Sequence, residues 1–220
     1  PILRSKDERE GIEFTWSVWI FLDKVHDVLS NNTSTYYHIF SKGTKGGVLS
    51  KENHDAAPGL YVKSDKKASG DTSQYKNTLY AVMNTLSGQK GEGAFDNIDK
   101  GIEIENIPIR KWFHVALRIE NRNFDVYVNG ILYKRKILPS LPRQNYGDVH
   151  LSQIGKTIGQ GGASNSGIYG FNGELSSLRY FNSALNPVEI SNIVRVGPNM
   201  CTDEANAEYP PYFSSRWYNI

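Results

Sequence analysis

The chain has 220 residues, 24.8 kDa and a formal net charge of +2. A chain of this length fits one large β domain as well as two small ones. It should bury roughly 70% of its unfolded surface, so its stability requires neither disulfides nor a metal. The charge is too small for a nucleic-acid protein, which would carry a basic stripe, and no apolar run approaches the ~20 residues of a membrane span. Thirteen Tyr and nine Phe against two Met favour strands, because aromatic side chains fit a pleated, half-buried surface. The single cysteine, Cys201, excludes an intramolecular disulfide.

Residues 1–11 carry the charged run RSKDERE and read as a lead-in or linker. Residues 12–22 alternate strictly. Phe14, Trp16, Val18, Ile20 and Leu22 share one face, and Thr15, Ser17, Trp19 and Phe21 share the other. Both faces turn apolar toward the end, which predicts a central strand covered on both sides. A polar stretch holding two overlapping glycosylation sequons, at Asn31 and Asn32, leads to a short strand at 36–40. Residues 41–76 are rich in Lys, Ser, Gly and Asp around one apolar island at 59–62, predicting two long loops about a short strand. Long ordered loops on a β domain are more often functional than ornamental. A strand at 75–86, a glycine-broken loop and a weakly alternating strand at 102–109 follow.

The clearest pattern is KWFHVALRIENRNFDVYVNG, residues 111–130. Phe113, Val115, Leu117 and Ile119 fall on one face of its first strand, with Trp112, His114, Ala116 and Arg118 on the other. In the second strand Phe124, Val126 and Val128 alternate with Asp125, Tyr127 and Asn129. Such alternation marks a sheet with one dry face. Asn129-Gly130 supplies the positive φ angles of a type I′ turn, so the chain should reverse into 131–137. By the same parity His114 faces away from the core and reads as a surface histidine. A proline-marked connection (ILPSLPR), a short strand at 149–154, a glycine-rich loop at 155–173 and a strand at 174–181 come next.

One helix is expected, at 187–195. Asn186 suits its N-cap, Pro187 its first position, Glu189 a capping box, Leu185 and Ile190 a hydrophobic staple, and Gly197 the C-terminal cap. The aromatic tail, 198–220, is expected to pack on the domain or against a partner.

In order, EFTWSVWI, HIFSKG, WFHVALRI, DVYVNG and FNGELSSLRYFNSALNPVEI resemble a LamG-like jelly roll of the concanavalin A-like lectin/glucanase superfamily, over roughly residues 12–195. The most specific parts are Trp112-Phe113-His114-Val115-Ala116, Tyr127-Val128-Asn129-Gly130, and Phe171-x-Gly173 followed by Ala184-Leu185 and the helix. The resemblance implies an all-β fold: a β-sandwich of two antiparallel sheets packed face to face, one short C-terminal helix, and long loops at one rim. The jelly-roll domain is then 12–197, with 198–220 as an extension. This architecture carries lectins, glycosidases, adhesion modules and structural proteins alike.

A glycosidase of this kind needs two carboxylates on one strand face, ~5 Å apart in retaining enzymes. The motif Glu-x-Asp-x-x-Glu is absent, and the nearest pair, Glu103 and Glu105, reads as a solvated strand face. Gly155-Lys156-Thr157 lacks the upstream glycine of a phosphate loop, since His150 stands there. The five histidines show no metal spacing. Relatives hold calcium in rim loops, which singles out Asp96 and Asp99 as candidate ligands in a loop of suitable character; no other cofactor is expected.

The leading expectation is therefore a non-catalytic module whose rim loops, 42–58, 63–76, 87–100 and 155–170, recognise a glycan or a protein. Tyr61, Phe95 and Tyr169 are the candidate ligand-binding aromatics. The expected location is extracellular or on a particle surface, tethered by an upstream segment. The alternatives are a structural or assembly role, as in a large DNA virus particle, and, more remotely, a glycoside hydrolase.

Overall fold

The alternation of residues 12–22 builds the strand around which the first of two sheets forms. The computed structural model describes residues 2, 5–8, 11–26, 34–43, 56–66, 75–86, 101–143, 146–151, 157–158 and 168–200. In chain order the elements are β1 (Lys6–Glu8), β2 (Gly11–Leu22), β3 (Ser34–Gly43), β4 (Ala56–Lys66), β5 (Tyr75–Val82), β6 (Ile102–Ile104), β7 (Trp112–Glu120), β8 (Asn123–Val128), β9 (Ile131–Ile137), β10 (Asp148–Leu151), β11 (Thr157–Ile158), β12 (Ile168–Gly170), β13 (Gly173–Phe181) and α1 (Pro187–Val196). Among the described residues no helix is long and apolar enough to cross a membrane.

The first sheet has six strands. β2, β7, β8 and β9 run side by side, while β1 and β13 share the other edge of β2 end to end. The second has seven. β6, β5, β4 and β3 run in order, and the far edge of β3 takes β10 antiparallel and β12 parallel, with β11 outside β12. The lead-in at 1–11 thus contributes a strand to the sandwich. The inner faces meet in one apolar core. Phe14, Trp16, Val18, Ile20 and Leu22 of β2 and Phe113, Val115, Leu117 and Ile119 of β7 face Phe40, Leu60, Val62, Leu79, Ala81, Ile102 and Ile104. Each large side chain buried this way contributes roughly 1.5–3 kcal/mol.

The hairpin forms as its pattern predicts. Asn129 and Gly130 adopt φ of 49° and 83°, and the backbone then reverses into β9. The expectation of a single dry face is corrected, because α1 lies across the outer side of the first sheet. Leu185 and Ile190 bury against Ala116 and Tyr127. Thr15 Oγ1 donates to the Ser183 carbonyl (3.0 Å) and accepts from the Leu185 N–H (3.0 Å), which locks the approach to the helix. The capping box is complete: Asn186 Oδ1 accepts from Glu189 N–H, and the Glu189 carboxylate accepts from Asn186 N–H. Such a cap contributes ~1 kcal/mol.

The reading of His114 as a surface histidine is corrected as well. The ring does face away from the core, but the residue is buried. Its Nε2 lies 2.8 Å from Ser17 Oγ, and Trp19 stands edge-on at 5.3 Å. Beside it, three charged side chains form a row across three strands. Asp125 is opposite Arg118 on β7 and Arg135 on β9, at 2.9 Å and 2.6 Å. The Asp125 hydrogen bond and charge raise the Arg135 pKa.

Several boundaries differ from expectation. β3 and β4 run longer than their apolar islands, because their polar residues alternate onto the outer face. β6 stops at Ile104; Asn106 takes a positive φ of 56°, and Ile107 and Ile109 reach the core from irregular backbone. β11 and β12 lie within the stretch read as a glycine loop. Gly173 opens β13 where a Cβ would sit 2.0 Å from the Phe21 carbonyl oxygen, so only glycine allows that strand to dock. At one end of the sandwich His26 is held in place by four hydrogen bonds. Its Nε2 accepts from Asn172 N–H, its carbonyl from Ser64 and Asn77, and its N–H donates to Asn77.

Candidate functional site

The two outer faces differ in kind. The first is closed by α1; the second is a grid of polar and aromatic side chains. On β4 the core takes Leu60, Val62 and Ser64, so Tyr61, Lys63 and Asp65 must point outward. Register then aligns the outward residues of neighbouring strands. One row runs His38, Tyr61, Tyr80 and Glu103 across β3, β4, β5 and β6. The next runs Tyr36, Lys63 and Thr78. A Cβ at Gly59 would meet the Tyr61 ring at 2.9 Å and one at Gly101 would meet the Tyr80 ring at 2.4 Å, so glycine at both positions gives the rings room.

The grid grades from a dry aromatic floor to a wetter charged fringe. Tyr61 is 0% exposed and Tyr80 2%. The His38 and Tyr61 rings lie 5.4 Å apart, and Tyr36 and Tyr80 5.5 Å. Burial, then the neighbouring Tyr80, pushes the Tyr61 phenol well above its usual range. His38 Nε2 lies 2.9 Å from Ser41 Oγ. Burial, and secondarily His150, lowers the His38 pKa to about 4, so it is neutral at pH 7. Among the described residues, the buried His38 Nδ1 and Thr78 Oγ1 have no hydrogen-bond partner.

In the fringe Lys63 lies 2.8 Å from Glu103 and 3.1 Å from Asp65. Burial pulls the Lys63 pKa down, but hydrogen bonds to Glu103 and Asp65 outweigh it and leave it raised. Lys76 holds Glu105 at 2.7 Å. That hydrogen bond lowers the Glu105 pKa and raises that of Lys76.

A glycosidase acid needs a raised pKa, whereas Lys76 pushes that of Glu105 the wrong way. Two buried Ser–His pairs exist, Ser41–His38 and Ser17–His114, but a catalytic pair needs a third group orienting the imidazole. Among the described residues, Nδ1 is without a partner in both rings.

The sequence candidates scatter. Tyr61 lies on a strand rather than in a loop, and packs in the aromatic floor. Tyr169 lies on β12 opposite Tyr37, on the core-facing side, with the two rings 6.0 Å apart. The structure therefore does not bring the two together. Phe95, Asp96 and Asp99 lie outside the described residues. Among the described residues, no three His, Cys, Asp or Glu side chains are grouped to hold a metal. Sequence reasoning missed Tyr36, Lys63, Asp65 and Glu103 as one surface. The signal was alternation on each strand, but only register joins them.

Residues 5–191 match the family model described as the concanavalin A-like lectin/glucanases superfamily, of laminin G type. The chain belongs to this superfamily. Among solved structures, a heptameric pentraxin of Limulus polyphemus is similar at 20% identity and TM-score 0.48, over 85% of this chain and 71% of that one. A protein of Bacteroides ovatus described as carbohydrate binding is similar at 17% identity and TM-score 0.47. That match covers 86% of this chain but 43% of the Bacteroides chain. Domain 4 of an extracellular arabinanase of Geobacillus stearothermophilus, in complex with arabinotriose, is similar at 14% identity and TM-score 0.44, over 88% and 68%. Each is a likeness of fold and no more. No curated protein sequence matches the chain.

Proposed function

We propose that this superfamily member is a non-catalytic recognition module whose ligand, a glycan in the first reading and a protein in the second, docks on the outer face of the second sheet. The observation that carries the proposal is the partly exposed fringe of the second sheet's outer face, where Tyr36, Lys63, Asp65 and Glu103 adjoin the buried rings of Tyr61 and Tyr80. Shallow sugar sites combine an aromatic ring face with convergent hydrogen-bonding groups. The connections 44–55, 67–74 and 87–100 all join strands of this sheet. Calcium held by Asp96 and Asp99, and a cell or particle surface as location, belong to the same proposal.

A glycan array probed with and without calcium tests it. Binding is expected, and Tyr36→Ala and Lys63→Ala should each weaken it at least tenfold while the melting temperature stays within a few degrees. Absence of glycan binding under both conditions removes the glycan reading. Titration calorimetry on the metal-free protein decides the calcium component, which ends if no heat appears at millimolar calcium.

A further inference from the structure

We infer that the free edge of β9 is a docking site for an extended acidic segment of a partner protein, which would join the first sheet as an added strand. β9 is the last strand of that sheet, paired with β8 on one side and with no strand on the other among the described residues. An open edge presents backbone N–H and C=O groups that an extended chain can pair with. Its side chains are apolar at both ends and cationic in the middle. Ile131, Leu132, Tyr133 and Ile137 are all exposed, Ile131 by 74% and Ile137 by 68%, and Lys134, Arg135 and Lys136 lie between them.

A strand guarded only against aggregation needs the charges; the exposed isoleucines flanking them offer an incoming strand apolar contact as well. The edge is already fixed in place. Tyr133 Oη accepts from Glu105 N–H at 3.1 Å, tying β9 to the neighbouring edge of the second sheet. Arg135 is held by Asp125, and a Cβ on Gly130, at the start of β9, would lie 3.5 Å from Val194 of α1. A rigid edge loses little entropy when a strand is added.

The charge pattern selects the occupant. A second copy pairing antiparallel about the centre of β9 would set Lys134 against Lys134, Lys134 against Arg135, or Arg135 against Arg135, depending on register. Like charges directly opposite one another destabilise a sheet, so self-association is disfavoured. A strand carrying Glu or Asp at the central positions and aliphatic residues at its ends meets both features.

The test uses the full chain, labelled with ¹⁵N, and an alternating Glu/Val octapeptide as probe. Its controls are a Lys/Val octapeptide and a Glu/Val octapeptide with a central proline. Binding of the acidic peptide should slow hydrogen exchange at β9 amides and leave the outer face of the second sheet unchanged. Lys134→Glu, at an exposed position, should weaken binding at least tenfold without changing the melting temperature. The proposal is overturned if β9 amides are unaffected at millimolar acidic peptide, or if either control peptide binds as well. It is equally overturned if sedimentation shows a concentration-dependent dimer whose β9 amides are protected without peptide, since the occupant is then a second copy.

Discussion

Replacing Asp125 with alanine is expected to destabilise the domain by about 3 kcal/mol, the lower end of the 3–5 kcal/mol seen when one partner of a buried ion pair is removed. The Asp125 side chain is fully buried and accepts from Arg118 and from both Nε and Nη2 of Arg135. Without it, Arg118 stays buried under the approach to α1 and keeps, among the described residues, Glu120 at 2.9 Å and the Leu185 carbonyl at 2.9 Å. Those two contacts place the expected loss at the low end of the range. Urea denaturation measures it; a loss below about 1 kcal/mol contradicts a structural role for the row. Replacing the pair together, Arg118→Met with Asp125→Leu, should recover part of the stability, because no buried charge is then left without a partner.

Acid is expected to unfold the protein through its two buried Ser–His pairs. Burial lowers the pKa of His38 and of His114 to about 4 each, from 6.5 in the unfolded chain. Above pH 6.5 neither state carries these protons, and stability is independent of them. Between pH 6.5 and 4 the unfolded chain binds protons that the native state refuses, so stability falls as pH falls. Each histidine then removes roughly 3 kcal/mol by pH 4, from the size of its shift. Denaturation midpoints measured from pH 8 to pH 4 should be flat and then drop, and His114→Gln should make the drop shallower. A profile flat from pH 7 to pH 4.5 contradicts the burial of both rings.

The parts of the fold that were legible in sequence are those whose cause is local. Alternation in 112–128, the Asn129-Gly130 turn and the stacked signals from Leu185 to Gly197 each specify backbone geometry within a few residues, and each forms as read. β4 was half hidden because Pro58, Lys63 and Asp65 look like loop residues until Leu60 and Val62 are known to face a core. β12 is three residues long and pairs parallel with β3, a distant partner that no local pattern announces. Parity placed His114 on the correct face but could not say that the ring would be buried there beside Ser17 and Trp19. The same limit applies to the candidate site. Alternation assigns Tyr36, Lys63 and Tyr80 to outer faces strand by strand, whereas their meeting depends on the register of β3, β4 and β5. The Arg118–Asp125–Arg135 row was the one cross-strand feature open to inference, since a tight hairpin sets its own register.

The central claim, that ligand meets the outer face of the second sheet, is tested most directly by titrating the strongest array glycan into ¹⁵N-labelled protein and mapping the amide shifts. The proposed function predicts that the changes concentrate at Tyr36, Lys63, Thr78 and Glu103. Changes confined to the outer face of the first sheet, at Ser17, His114 and Arg118, would contradict it.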